Sequence, residues 1–244
     1  MLAPVALAAC DDAEPSEPAA ARPAARVFAA ASLRDTFPRI DTAPAYNFAG
    51  SNQLQMQIER GAPADVFASA SPTKAQALFR AGRCGRPVTF ATNVLVLLVP
   101  DANRGRVRSV QTLRSGRRRL AIGAAGVPIG AYTRRVLQRM RLSSILETNT
   151  VSNEANVAGI VSKVALGSAD AGFAYVTDGR IAADRVNSID LPRGAQPPVR
   201  YQICPVKRPG ADTAGAQAFI ERVTASRGRS LLEQAGFGLP QSGQ

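Results

Sequence analysis

Histidine is absent from this chain, and no other absence says more about its function. None of the 244 residues is a histidine, which excludes catalytic triads and dyads with an imidazole base and every metal site that needs an imidazole ligand. The chain also lacks a P-loop, and its glycine-rich segment at residues 123–130, GAAGVPIG, does not have dinucleotide-binding spacing. The sequence therefore predicts no catalytic residues, no resident metal and no cofactor.

Lysine is also scarce, because only three of the 30 basic residues are lysines and the arginines are spread along the chain. The formal net charge of +12 predicts non-specific attraction to anions. The one dense basic run, RSGRRR at residues 114–119, has no interleaved aromatic residues, and we interpret it as a solvated loop. A basic nucleic-acid-binding or regulatory domain is an alternative, but it would need a helix-turn-helix or an aromatic face, and the sequence shows neither.

The N-terminus indicates export. Residues 1–9 are apolar and rich in small side chains, and the LAAC that ends at Cys10 matches the lipobox of bacterial lipoproteins, although a basic n-region is missing. We predict that residues 1–10 are a lipoprotein signal peptide remnant with its lipobox and that Cys10 is lipidated; a chance LAAC is the alternative. Residues 11–25, acidic and then rich in proline and alanine, are predicted to be a disordered tether that holds a globular domain off a membrane.

Two cysteines remain once Cys10 is assigned to lipid, namely Cys84 and Cys204. Two cysteines in an exported protein can form a disulfide. Two separate free thiols are the other interpretation, and the spacing alone does not decide between them.

The order of predicted elements indicates an α/β protein. Strands and helices alternate at a spacing that favours mostly parallel sheets with helices on both faces. A chain of this length can form one large domain or two lobes of roughly 100 residues each. The apolar run at residues 87–100 is long enough to pass from one lobe to another, and the extended segment at 199–205 could return the chain.

Four predicted strand-to-helix corners carry the functional prediction. They lie at Ser32, at Ser51, at residues 126–130 and at residues 152–157, and Tyr175 ends a further strand. The start of a helix offers unpaired N–H groups and a partial positive charge, and serine and tyrosine add O–H donors. Each feature alone is also typical of an ordinary cap, turn or core aromatic. Together they predict a site for a tetrahedral dianion that uses neither arginine nor lysine.

Several motifs resemble one family. They are VFAAASL at 27–33, GAPADVFASA at 61–70, FATN at 90–93, VPIG at 127–130, GFAY at 172–175 and GFGLP at 236–240. Over residues 26–240 the chain resembles the periplasmic molybdate-binding proteins of ABC transporters.

The resemblance implies a two-lobe periplasmic-binding-protein fold of type II, in which each lobe has a mostly parallel sheet flanked by helices and a hinge joins the lobes. It places residues 26–92 and 206–244 in lobe 1 and residues 93–205 in lobe 2. It also implies that Cys84 and Cys204 lie close together on the hinge side of lobe 1, which favours their pairing. Carried over by position, the ligand contacts are the hydroxyl and N–H of Ser32, Ser51, the N–H groups of Ile129 and Val157, and the hydroxyl of Tyr175.

Two positions depart from the family pattern. Ile129 replaces the alanine of a VPAG sequence, and GSN at residues 50–52 replaces a serine-rich run. A backbone N–H contact survives the first change, and the second keeps the central serine, Ser51.

The resemblance further implies a solute-binding protein, and not an enzyme, that captures molybdate or tungstate and delivers it to an ABC permease. We expect a monomer outside the cytoplasm, in the periplasm or at the cell surface, anchored by lipid and without a nucleic-acid partner. Binding of another tetrahedral oxyanion such as sulfate is the nearest alternative. A hydrolase or transferase with Ser51 as nucleophile is a further one, but no Ser-x-x-Lys motif accompanies Ser51.

Overall fold

A computed structural model describes residues 24–114 and 118–240. The predicted signal segment, the lipidation site Cys10 and almost all of the predicted tether lie outside the described residues. So do residues 115–117, in the middle of the basic run. Within the part of the chain that is described, no helix has both the length and the apolar character needed to cross a membrane.

The first sheet takes its strands from both ends of the chain and has the order β2-β1-β3-β10-β4. Helices α1, α2, α3, α8 and α9 accompany it. The strands are β1 Arg26–Ala30, β2 Ala45–Ala49, β3 Val66–Ser69, β4 Val88–Asn93 and β10 Val199–Pro205. The helices are α1 Phe37–Ile40, α2 Ser51–Glu59, α3 Pro72–Arg80, α8 Thr213–Thr224 and α9 Ser226–Gln234.

The second sheet is built from the middle of the chain and has the order β7-β6-β8-β5-β9. Its strands are β5 Leu95–Pro100, β6 Leu120–Gly123, β7 Thr150–Glu154, β8 Ala171–Tyr175 and β9 Val186–Asp190. Its helices are α4 Pro128–Arg139, α5 Ile145–Asn149, α6 Val157–Ala165 and α7 Val176–Ile181. Short 3₁₀ helices cover Ala31–Leu33, Val110–Arg114 and Arg193–Ala195.

Each described sheet is mixed in the same way, with one strand reversed against the other four. In the first sheet β1 is parallel to β2 and β3, whereas β10 is antiparallel to β3 and β4. In the second sheet β6 is parallel to β7 and β8, whereas β5 is antiparallel to β8 and β9. The reversed strands are the ones that enter directly from the other sheet, so they run away from the junction while their neighbours run toward it. The predicted two-lobe α/β fold with mostly parallel strand directions is confirmed.

The predicted return point of the chain needs a correction. The sequence places residues 93–205 in lobe 2, but β10 pairs within the first sheet, with Ile203 opposite Ala68 and Tyr201 opposite Ala91. Asn93 likewise ends β4 of that sheet. An extended segment looks the same on either side of a hinge, which is why the sequence pattern alone misassigned β10. We therefore take residues 24–93 and 199–240 as the first lobe and residues 94–198 as the second lobe.

Asp65 lies in the GAPAD turn and ties the two ends of the first lobe together. Its buried carboxylate accepts hydrogen bonds from the backbone N–H groups of Arg26, at 2.8 Å, and Asp212, at 3.0 Å. The guanidinium of Arg208 donates to the same carboxylate at 2.5 Å. A buried carboxylate is tolerated when it is paired and hydrogen-bonded in this way. Asp65 therefore has a structural role.

Cys84 and Cys204 meet inside the first lobe. Both are fully buried, and their sulfur atoms are 2.7 Å apart. Cys204 lies near the end of β10 away from the junction, whereas the sequence placed the pair on the hinge side; Val199, at the start of the strand, is opposite Asn93. The two thiols are separated by 120 residues in sequence, so a bond between them would close a long loop.

We propose that these two thiols are oxidised to a disulfide in the exported protein. Digestion of the alkylated, unreduced protein should yield a Cys84 peptide linked to a Cys204 peptide. Reduction should lower the free energy of unfolding by about 2–5 kcal/mol, and a Cys84→Ser/Cys204→Ser variant should not respond to reductant. Recovery of both cysteines in alkylated form without prior reduction would contradict the proposal.

Candidate functional site

The five predicted contact residues line one cavity between the two lobes. Ser32 and Ser51 reach it from the first lobe, and Ile129, Val157 and Tyr175 from the second. The cavity is small, with a volume of about 20 Å³, and none of the described residues that line it is charged. All five residues are at most 4% exposed. The structure thus brings together buried residues that are far apart in sequence at a neutral site.

Helices α2, α4 and α6 begin at this cavity. Each is preceded by a residue with extended backbone geometry, Gly50, Val127 and Asn156 respectively. The N–H groups in the first turn of a helix have no acceptor within the helix, and the end carries a partial positive charge. Because helices from both lobes start here, these partial charges converge on the same space. The 3₁₀ turn Ala31–Leu33 adds a further chain reversal at the end of β1.

The two serine side chains are held in place by hydrogen bonds to their own lobe. Ser51 Oγ accepts a hydrogen bond of 3.1 Å from the backbone N–H of Ala70, so its own O–H hydrogen can be donated elsewhere. Ser32 Oγ shares a hydrogen bond of 2.9 Å with the hydroxyl of Tyr201. Tyr201 is fully buried in β10. Sequence reasoning missed this residue, because only the folded β10 brings it next to Ser32.

The Tyr175 hydroxyl is buried and has no hydrogen-bond partner among the described residues. Its ring lies edge-on to those of Tyr132 and Tyr201, with centroids 6.5 and 5.9 Å away. Burial raises the pKa of Tyr175 well above its ordinary value of 10, and the neighbouring tyrosines Tyr201 and Tyr132 and the carboxylate of Asp178 raise it further. The hydroxyl therefore stays protonated and is available as a donor. An unsatisfied buried hydroxyl costs about 1–3 kcal/mol, which a ligand oxygen would remove.

The lobes are in contact around the cavity. The Tyr132 hydroxyl donates a 3.3 Å hydrogen bond across the cleft to the carbonyl of Ala70, and the Asn93 side-chain amide donates one of 3.0 Å to Thr177 Oγ1. Gly50 approaches the carbonyl oxygen of Ala155 so closely that a Cβ at position 50 would collide with it. Glycine at position 50 therefore permits the cleft to close.

Ile129 is larger than the alanine that is usual at this position, and Gly123 leaves room for it. Its Cγ2 methyl packs against Gly123 at the end of β6, and a Cβ on Gly123 would clash with that methyl and with the backbone of Gly130. The extra volume is therefore taken up on the sheet side of Ile129.

Asp178 is a buried carboxylate next to Tyr175, and sequence reasoning missed it. It lies in α7 and accepts a 3.0 Å hydrogen bond from the backbone N–H of Tyr175. Burial, the largest cause, raises its pKa to about 7 against the lowering effect of that hydrogen bond, and the negative charge of Asp35 in the first lobe adds to the increase. The carboxylate thus caps the start of α7 from its third residue.

The described residues offer no resident metal site, because nowhere in residues 24–114 and 118–240 do three Cys, Asp or Glu side chains gather in a way that could hold a metal ion. The cavity instead presents neutral O–H and N–H donors. Such a donor set can hold an anion by hydrogen bonds alone.

Comparisons with known proteins agree with this geometry. A family profile described as bacterial extracellular solute-binding protein matches residues 19–238. The molybdate-binding protein ModA of Mycobacterium tuberculosis H37Rv is 36% identical over 248 residues, which cover 96% of this chain and 93% of that protein. The periplasmic molybdate-binding protein of Azotobacter vinelandii superposes with a TM-score of 0.78 at 25% identity, covering 89% of this chain and 100% of that one. The sulfate-binding protein SubI of M. tuberculosis has a TM-score of 0.76 but only 13% identity, so it shares the fold alone.

The buried carboxylate generates a pH prediction. Because the pKa of Asp178 is about 7 in the folded state and 3.8 in the ordinary one, the folded state binds more protons between these values, and the free energy of unfolding falls as the pH rises through that window. Asp178→Asn removes this fall while keeping an acceptor for Tyr175 N–H. Relative to the unaltered protein, the free energy of unfolding of the variant should therefore rise by on the order of 3 kcal/mol from about pH 4 to about pH 8. The rise is about 1.4 kcal/mol for each tenfold change in acidity.

Urea denaturation at the two pH values measures this difference. Asp184→Asn, which removes an exposed carboxylate, is the matched control. If the difference in the free energy of unfolding between Asp178→Asn and the unaltered protein is the same at both pH values, the pKa of the carboxylate is not raised by folding.

Proposed function

The chain belongs to the bacterial extracellular solute-binding protein family, and we propose that it captures molybdate, and also tungstate, and delivers it to an ABC permease. The observation that supports this most directly is the buried Tyr175 hydroxyl without a described partner, which lines the cavity where several helices begin. The relatives named as molybdate-binding proteins support the choice of ligand.

A tetrahedral dianion fits the donors around this cavity. The proposed contacts come from both lobes, and all are neutral: the hydroxyl and N–H of Ser32, Ser51, the N–H groups of Ile129 and Val157, and the hydroxyl of Tyr175. Hydrogen bonds to a charged acceptor are about twice as strong as neutral ones, and the five proposed contact residues are buried. The serines are already fixed by Ala70 and Tyr201, so little ordering entropy is lost on binding.

The location and assembly of the protein follow from the same proposal. The family places the domain outside the cytoplasm. We propose that Cys10 carries the lipid, that residues 11–25 act as the tether, and that the protein works as a monomer. Binding and release by lobe movement is then its whole activity, without a catalytic step.

Calorimetry with molybdate, tungstate, sulfate and phosphate tests the ligand. Molybdate and sulfate share charge and shape and differ mainly in size, so the pocket must discriminate by volume and donor spacing. We expect tight binding of molybdate and tungstate and much weaker binding of sulfate and phosphate. Tight binding of sulfate without binding of molybdate would replace the proposed ligand with sulfate.

Tyr175→Phe removes only the hydroxyl that has no described partner. A hydrogen bond to a charged group contributes about 1.5–3 kcal/mol, so we expect the Kd for molybdate to rise roughly ten- to hundredfold. Tyr46→Phe is the matched control, because its hydroxyl donates to backbone carbonyls within the first lobe, away from the cavity. Equal affinities of the two variants for molybdate would show that the Tyr175 hydroxyl does not bind the ligand.

A further inference from the structure

A second groove adjoins the cavity on the outer side of the cleft. Pro128 lines both the cavity and the groove. Ser71 in the groove follows Ala70 in the cavity wall, and Gly126 in the groove precedes Val127. Both lobes contribute to the groove, so it leads along the line where they meet.

The groove is basic, whereas the cavity is neutral. Lys74, Arg135 and Arg200 line the groove, and no acidic residue is found among its described lining. Lys74 and Arg135 belong to opposite lobes, and neither forms an ion pair with a carboxylate of the described chain. The guanidinium carbon of Arg135 lies 5.9 Å from the ring centroid of Tyr132. The charges of Lys74 and Arg135 are therefore close together and not neutralised by an acidic residue of the described lining.

A short chain of contacts links the groove to the binding residues. Tyr132, which lines the groove, donates its hydroxyl to the carbonyl of Ala70, and the N–H of Ala70 donates to Ser51 Oγ. The basic side chains themselves are not among the residues that line the cavity. They can therefore act on an anion on its way to Ser51 without contacting it once it is bound.

We propose that Lys74, Arg135 and Arg200 form an anion-collecting groove that steers the dianion into the cleft. The proposal rests on the proposed function, since it concerns how the same ligand arrives. Clefts lined by charge of one sign raise the local concentration of an oppositely charged ligand and increase association rates by about 10- to 1,000-fold. Because these side chains lie outside the cavity, they change the association rate and leave the dissociation rate to the neutral donors within.

The net charge of +12 makes a control with the same charge change at another location necessary, because any loss of positive charge slows the approach of an anion. Arg60 and Lys163 provide it, with one arginine and one lysine, one from each lobe. Arg60 directly follows α2, and Lys163 lies in the last turn of α6. Both are exposed. These helices begin at the cavity, so at a rise of 1.5 Å per residue Arg60 lies about 13 Å and Lys163 about 9 Å along the helix from the cavity.

The test compares Lys74→Glu/Arg135→Glu with Arg60→Glu/Lys163→Glu in the full chain. Calorimetry first establishes that the unaltered protein binds molybdate. Stopped-flow tyrosine fluorescence then gives association and dissociation rates, which is practicable because the chain has no tryptophan. Measurements at about 0.01 M and about 1 M salt span Debye lengths from about 30 to about 3 Å. A Lys74→Gln/Arg135→Gln variant removes the charges without reversing them.

At low salt we expect the association rate of the groove variant to fall about tenfold below that of the control, with the glutamine variant in between. The dissociation rates should match, and the difference in association should vanish at high salt. Equal association rates for the groove and control variants, or a change confined to dissociation, would overturn the steering role while leaving molybdate binding intact. Failure of the unaltered protein to bind any of the four oxyanions would overturn the proposed function and the steering role together.

Discussion

The approach of Gly50 to the carbonyl oxygen of Ala155 is the contact on which the enclosed cavity depends. Gly50 immediately precedes α2 in the first lobe, and Ala155 lies just before α6 in the second. Bringing them together places two helix N-termini from opposite lobes side by side, with α4 beside them. Ends that carry the same partial charge repel one another, so closing the empty cleft has an electrostatic cost. An anion between the helix ends replaces this repulsion with attraction. Occupation of the cavity therefore favours closure of the cleft.

The absence of charged side chains around the cavity then has a physical explanation. A buried arginine or lysine would attract any anion, whatever its shape, and would be an isolated buried charge whenever the site was empty. Fixed N–H and O–H donors favour an acceptor whose oxygens match their directions. Tyr175 illustrates the consequence, since burial keeps its hydroxyl protonated and leaves it without a partner in the described chain. Positive side chains lie in the groove outside, where water solvates them and their field still reaches an approaching dianion.

Much of this architecture could be predicted from sequence. The alternation of predicted strands and helices indicated the α/β class, and the long apolar run around β5 indicated a segment that passes from one lobe to the other. The family motifs placed Ser32, Ser51, Ile129, Val157 and Tyr175 at strand ends, and in the structure these five residues line one cavity. These features are local: each depends on a few neighbouring residues and on the rule that ligands bind where parallel strands end.

The features that escaped prediction depend on which strand lies beside which. The sequence of β10, VRYQICP, does not reveal its lobe, because an extended segment fits either sheet equally well, and only its pairing with β3 and β4 decides. That pairing also brings Tyr201 to Ser32, so an error in the lobe boundary hides the residue that orients Ser32 at the cavity. Asp178 is a similar case, since its pKa depends on burial and on Asp35 across the cleft, neither of which a local pattern contains. Sequence motifs can thus indicate the atoms that meet a ligand more readily than the residues that hold those atoms in place, because the supporting contacts arise only when distant strands pair.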